Sequence, residues 1–147
     1  MPTITINSPA LPVPRRRAVA LCVTRWLTQH GIEAGRVVVR FETTEDGSVF
    51  SGGLPVEALS YEGDGIRHAS VTCCVGPDRD EEFREGLTEC IAVALGVGPG
   101  TPFFYLEFRP TRPSYVYFGG AGALRRADDP DHLRLTFTLG TPKGAQP

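Results

Sequence analysis

The chain has 147 residues, 41% of them apolar and 22% charged, and a formal net charge of −2. That length suits one domain with a sizeable core, and the near-neutral balance lacks the positive field that phosphate backbones require. No apolar run reaches the roughly 18 residues of a membrane span, and no charged segment followed by an apolar one opens the chain. The sequence therefore predicts a cytoplasmic protein that binds neither nucleic acid nor membrane.

The chain begins "MPTITI", a proline followed by strict alternation of Thr and Ile. Alternation predicts a strand, and a proline that cannot donate to the ladder is tolerated as its first residue. Pro2 also has a second reading: with Met1 removed it becomes a free secondary amine, a titratable group held in place by a strand. A helix is predicted from about Pro14, with Ala18, Cys22 and Trp26 as its apolar stripe and Gly31 at its end. A strand follows, with Val37, Val39 and Phe41 toward the helices and Arg40 and Glu42 on the opposite face. The turn-rich stretch "TTEDGSVFSGGLPVEALSYEGDG" predicts a short hairpin around Asp46-Gly47.

A second strand-helix-strand run then begins at "ASVTCC" (69–74). Its helix follows "GPDRDEE", where Asp78 or Asp80 caps and the acidic first turn suits the dipole. Phe83, Leu87, Cys90, Ile91 and Ala94 form its stripe, and Gly96 ends it. In the strand "FFYLEF", Phe104 and Leu106 match the helix-facing residues of the first unit, leaving Phe103, Tyr105 and Glu107 on the far face. "SYVYFGG" predicts a short strand over Tyr115–Phe118. "HLRLTFTL" predicts another, alternating Leu133, Leu135, Phe137 and Leu139, and "GTPKGAQP" is expected to fray.

The two halves repeat. "HGIEAGRVVVRFE" (30–42) lies over "LGVGPGTPFFYLEF" (95–108), with Gly31 on Gly96, Ile32 on Val97 and Gly35 on Gly100. Two β-α-β units predict a mixed α/β (α+β) fold: one four-stranded sheet with two helices on one face, plus short extra strands. We read 1–147 as a single domain, with repeats at about 2–44 and 67–109 and a C-terminal extension over about 119–147. The uncovered sheet face, with its aromatics and charges, predicts an oligomer. Cys22, Cys73, Cys74 and Cys90 contain no CxxC pair, and His30, His68 and His132 show no ligand spacing. The cysteines read as small buried hydrophobes. No disulfide, metal or cofactor is expected.

The Met-Pro start, the tandem β-α-β units, "VFSGG" at 49–53 and "FFYLEFRP…SYVYFGG" together resemble the tautomerase superfamily over roughly residues 2–119. The length is most similar to the fused-repeat branches of migration inhibitory factor and cis-3-chloroacrylic acid dehalogenase. This resemblance implies a homotrimer enclosing a central channel, and catalysis by Pro2 after loss of Met1. It places Arg79 at one of two carboxylate-binding arginines, the other falling near Gly76 and being absent. Arg40 resembles a strand arginine that reaches a neighbouring subunit, or else pairs with Glu42 or Glu107. Tyr105 and Phe103 fall on site tyrosines, and Phe50 on a hairpin aromatic; packing roles remain open for all three. Tyr117 stands where the dehalogenase branch carries a water-activating glutamate. Ile32 replaces a lysine, and the dehalogenase histidine falls nearest Trp26 or His30.

Three functional readings follow. The first is a cofactor-independent isomerase in which Pro2 is base and then acid for keto–enol proton transfer on a small carboxylate substrate. There Arg79 and Arg40 bind the carboxylate, and Tyr105 polarises the carbonyl. The second is a hydratase, dehalogenase or decarboxylase of an unsaturated acid with cationic Pro2 as acid, for which Tyr117 is a poor water activator. The third is a non-catalytic trimeric binding or signalling protein of the same fold.

Overall fold

The alternation at the start of the chain becomes β1 (Thr3–Ser8), with Ile4 and Ile6 fully buried against the helices. The computed structural model describes residues 1–120, 122–128 and the strand 133–136. After β1 come α1 (Val13–Gln29), β2 (Val38–Thr43), β3 (Phe50–Ser51), β4 (Leu54–Pro55), β5 (His68–Val75), α2 (Glu81–Leu95), β6 (Phe103–Pro110), β7 (Tyr117–Gly120), β8 (Ala123–Arg126) and β9 (Leu133–Thr136).

The main sheet has the order β2-β1-β5-β6. β1 runs parallel to β2, with Thr3 opposite Val38, and β5 runs parallel to β6, with His68 opposite Phe103. The two units meet antiparallel along β1 and β5, where Thr5 faces Thr72. This is the predicted architecture, two β-α-β units forming one four-stranded sheet. One core holds it together: Val19, Val23 and Leu27 of α1 and Phe83, Leu87, Ile91 and Leu95 of α2 pack on Ile4, Ile6, Val71 and Cys73. Val37, Val39, Phe41, Phe104 and Leu106 pack against the edge of that core as expected.

The stripe of α1 differs from expectation by one position. Ala18 and Cys22 are exposed and Trp26 is half-buried, because the larger Val19, Val23 and Leu27 take the sheet-facing positions at the same spacing. Cys22 is therefore not a core residue, and Cys90 is only half-buried. α2 follows its pattern closely. Asp80 accepts a hydrogen bond from the Phe83 N–H at 2.8 Å, and Gly96 closes the helix at φ 76°.

The hairpin turn also lies elsewhere than predicted. It is Gly52-Gly53, with φ of 59° and 82°, that joins β3 to β4, since both central residues of the favoured two-residue turn need positive φ. Asp46-Gly47 makes a separate turn upstream. Pro113–Tyr115 forms a 3-10 turn instead of extending the strand, so β7 starts two residues later than expected. β8 was not anticipated. It pairs antiparallel with both β7 and β9, and at Gly119 a Cβ would lie 1.7 Å from the Ala123 carbonyl oxygen. His132, Phe137, Leu139 and "GTPKGAQP" lie outside the described residues.

The second face of the sheet presents Thr3, Thr5 and Asn7 of β1, Ser70, Thr72 and Cys74 of β5, Arg40 of β2, and Tyr105 and Glu107 of β6. No described helix covers it. No helix among the described residues is long and apolar enough to cross a membrane.

Candidate active site

The start of the chain lies at one end of the sheet, beside the start of β2. The Val38 N–H donates to the Pro2 carbonyl at 3.0 Å, extending the parallel ladder one residue beyond β1. Pro2 is buried there and needs no N–H, since only its carbonyl is used. Continuing the same register one further step back brings the residues before Val38, including Arg36, alongside Met1 and Pro2.

The second unit supplies the opposite wall. The β5–α2 loop turns tightly at Gly76, whose carbonyl accepts the Arg79 N–H at 3.3 Å. A Cβ at Gly76 would lie 2.8 Å from Asp78 Oδ1, a contact that the exposed Asp78 side chain can relieve by turning away. Arg79 is thereby held immediately before the N-terminus of α2. Its guanidinium lies 4.8 Å from the centre of the Phe83 ring. Phe83 meets Trp26 edge-on at 5.2 Å, and Trp26 stacks on His30 at 3.7 Å. His30 Nδ1 is engaged with the Trp26 carbonyl at 2.8 Å, which ties this histidine to its own helix end.

Two adjoining cavities, of about 310 and 130 Å³, share Met1, Pro2, Ile32, Arg79 and Pro113 as walls. Gly31, Glu33, Arg36 and Ala127 complete the larger, and Val75, Gly76, Asp78 and Phe83 the smaller. Arg36 is fixed on three sides. It donates to the Ala127 carbonyl at 3.0 Å, its guanidinium lies 5.1 Å from the Phe118 ring centre, and its Nε is 3.3 Å from a Glu33 carboxylate oxygen. That last contact is ionic but not an aligned hydrogen bond, and the buried Nε has no hydrogen-bond acceptor. The Nε is closed to solvent and faces Glu33, so what Arg36 offers the cavity it lines is the positive charge of its guanidinium.

Burial lowers the pKa of the chain's terminal amine below the ordinary α-amino range, and the charges of Arg36 and then Arg79 lower it further. With Met1 in place that amine is Met1's, and the Pro2 nitrogen is a peptide nitrogen without a basic lone pair. In a chain beginning at Pro2, a secondary amine would stand one residue further in, between the same two arginines. The arrangement disfavours the protonated form of an amine placed there and attracts a carboxylate to it. Among the described residues no cluster of His, Cys, Asp and Glu is placed to hold a metal ion.

Of the residues singled out in the sequence, the single chain brings together Pro2 and Arg79. Arg40 and Tyr105 are exposed on the open sheet face, and the Tyr105 hydroxyl lies 3.4 Å from Glu107 Oε2. Phe103 sits beside His68 at the start of β6. Phe50 on the hairpin and Tyr117 on β7 are both more than half exposed, and neither lines the two cavities. Arg36 is the residue that sequence reasoning missed. The signal was the pairing register: once β1 and β2 are aligned in parallel, the residue two before Val38 falls beside the chain start.

No family model matches the chain, and no curated protein matches it. Solved structures do. A member of the cis-3-chloroacrylic acid dehalogenase family superposes with a TM-score of 0.65 at 17% identity, covering 88% of this chain and 85% of the other. A fused 4-OT symmetric trimer superposes at 0.63 with 15% identity, covering 88% and 99%. A probable enzyme from the thermophilic fungus Aspergillus fumigatus reaches 0.58 at 17% identity, covering 82% of each chain. At these identities the likeness is one of fold.

Proposed function

We propose that this chain, which carries the tautomerase-superfamily fold, is a cofactor-independent isomerase that moves a proton between oxygen and carbon of a small enol or keto acid. The observation that carries this reading is the half-buried chain terminus, which shares a cavity with Arg36 and Arg79 and where burial first, and then the two arginines, lower the pKa of the Met1 amine. With Met1 removed, Pro2 supplies that amine.

The chemistry follows from the geometry. The substrate carboxylate binds the two guanidinium groups through charge-assisted hydrogen bonds. Neutral Pro2 accepts the enol O–H proton, and the electron pair left on oxygen re-forms the carbonyl as the enol double bond shifts. The resulting prolinium donates its proton to the adjacent carbon, which leaves Pro2 neutral again. Arg36 and Arg79 oppose the charge on prolinium and so favour its second step. The same lowering works against a hydratase or dehalogenase that needs a cationic proline at rest. It ranks the isomerase first.

The open sheet face supports a further part of the reading, that three copies assemble with these faces enclosed. Arg40, Phe103, Tyr105, Phe50 and Tyr117 then act, if they act in catalysis, from a neighbouring subunit. The experiment is a comparison of chains beginning at Pro2 with chains extended by one residue, using enol phenylpyruvate as substrate. The mature chain should turn it over and the extended one should not. Equal rates would remove Pro2 as the base.

A further inference from the structure

We propose that Cys22 and Cys90 form an oxidation site, closing to an interhelix disulfide when the protein meets a disulfide oxidant such as oxidised glutathione. The helix register places them together. β1 and β5 are antiparallel, so α1 and α2, each following its strand, also run in opposite directions. At one end of the seam the Trp26 ring lies 2.8 Å from where a Gly86 Cβ would be. At the other end the Arg15 guanidinium lies 3.1 Å from the corresponding point on Gly96. One turn back from Trp26 along α1 and one turn on from Gly86 along α2 are Cys22 and Cys90, facing each other between those contacts.

Small residues dominate this seam. Gly86 admits the Trp26 ring, and Ala18 and Ala94 stand one turn beyond the cysteines. Helices packed on such side chains approach closely, as a disulfide requires of its Cα atoms. The thiols are near enough to feel each other: burial, together with the neighbouring Cys22, pushes the Cys90 thiol up to about 11. Cys22 is exposed to an oxidant in solution. The other two thiols differ. Cys73 is fully buried beneath the helices with its thiol pushed up to about 12, and adjacent Cys74 points to the opposite face.

The steps balance without an external electron acceptor beyond the oxidant. The Cys22 thiolate attacks one sulfur of oxidised glutathione, forming a mixed disulfide and releasing one glutathione thiolate. The Cys90 thiolate then attacks the Cys22 sulfur, forming the Cys22–Cys90 bond and releasing the second glutathione. Once Cys22 is in the mixed disulfide its own thiol no longer opposes ionisation of Cys90, and burial alone does.

The test incubates the full-length protein with oxidised glutathione and follows intact mass, free thiols and non-reducing peptide maps. The expected product has lost two hydrogens, retains two free thiols, and yields one crosslinked peptide pair containing Cys22 and Cys90. In the Cys90→Ser variant the reaction should stop at a glutathione adduct on Cys22, and Cys22→Ser should give no crosslink. A stable glutathione adduct as the end product in the unaltered protein would overturn the proposal. So would a bridge through Cys73 or Cys74, a bridge between chains, or no reaction.

Discussion

Arg36 and Ala127 are separated by 91 positions in sequence, yet the Arg36 guanidinium donates to the Ala127 carbonyl at 3.0 Å. Ala127 in turn donates its N–H to the Val116 carbonyl at 2.8 Å. The arm built from β7 and β8 is thus tied to the wall of the cavity at the chain start. The arginine holds that carbonyl with one arm of its fork and faces the Glu33 carboxylate with its Nε.

Replacing Arg36 by Ala should weaken carboxylate ligands by roughly 1.5–3 kcal/mol, the range for hydrogen bonds to a charged group. Lysine should not restore the loss, because it lacks the planar fork that holds the Ala127 carbonyl while contacting an anion. Isothermal titration with a non-reactive 2-keto acid analogue measures the effect. Unaltered affinity in Arg36→Ala would assign this residue to holding the arm alone.

Arg79 makes a different prediction, because its half-buried guanidinium lies over the Phe83 ring, whereas Arg36 holds the backbone carbonyl of a distant arm. Arg79→Ala should reduce carboxylate affinity by a similar amount while changing the unfolding free energy by less than about 1 kcal/mol. Chemical denaturation beside the titration separates the two. A large stability loss with intact affinity would make it a structural residue.

For the proposed base, the sign of the pH dependence is fixed by the causes of its shift. Burial, Arg36 and Arg79 all lower the pKa of the Met1 amine, and a Pro2 amine beside the same arginines should respond alike, so the acidic limb of the rate profile should lie below the value of a free secondary amine. Removing either arginine takes away one of those causes and should move the limb to higher pH. A limb that stays in place in both variants would separate the titrating group from the arginine pair.

His68 gives a stability prediction independent of catalysis. Burial lowers its pKa, the nearby Arg67 adds to this, and Glu57 and Asp46 partly oppose it. The unfolded histidine titrates near 6.5. Between the lowered native value and about 6.5 the unfolded chain binds a proton that the native chain does not, so stability falls as pH drops through that window. His68→Gln should flatten this part of the profile in urea unfolding. An identical pH dependence in the variant would mean that other groups cause it.

Much of this fold was legible in the sequence because its signals are local and periodic. Thr3–Ile6 alternates, Asp80 and Gly96 bracket α2, and Gly31 and Gly96 repeat at the same place in each unit. The helix stripe of α1 was misjudged because Ala18, Cys22 and Trp26 share their spacing with Val19, Val23 and Leu27, and only the sheet decides which set lies inward. Half of the cavity was legible too, in Pro2 and Arg79. Arg36 was not, since its placement depends on strand register and on a carbonyl ninety-one residues away, neither of which leaves a local trace.

The antiparallel meeting of β1 and β5 gives the molecule two ends that are pseudo-equivalent, and they cannot be equally reactive. At the far end an arginine again stands by a helix terminus, Arg15 beside Gly96. There, however, the chain enters β5 from within: the Ile66 N–H is bound to the Gly96 carbonyl, and the Thr101 hydroxyl donates to the Ile66 carbonyl. Joining two units into one polypeptide leaves a single free end for both. The second unit cannot offer an amine of its own at any pH, and it contributes to the first unit's cavity with the loop that carries Arg79 and with Phe83. In the proposed mechanism one half provides both the reactive nitrogen and Arg36, and the other adds Arg79, a division of labour imposed by covalent continuity.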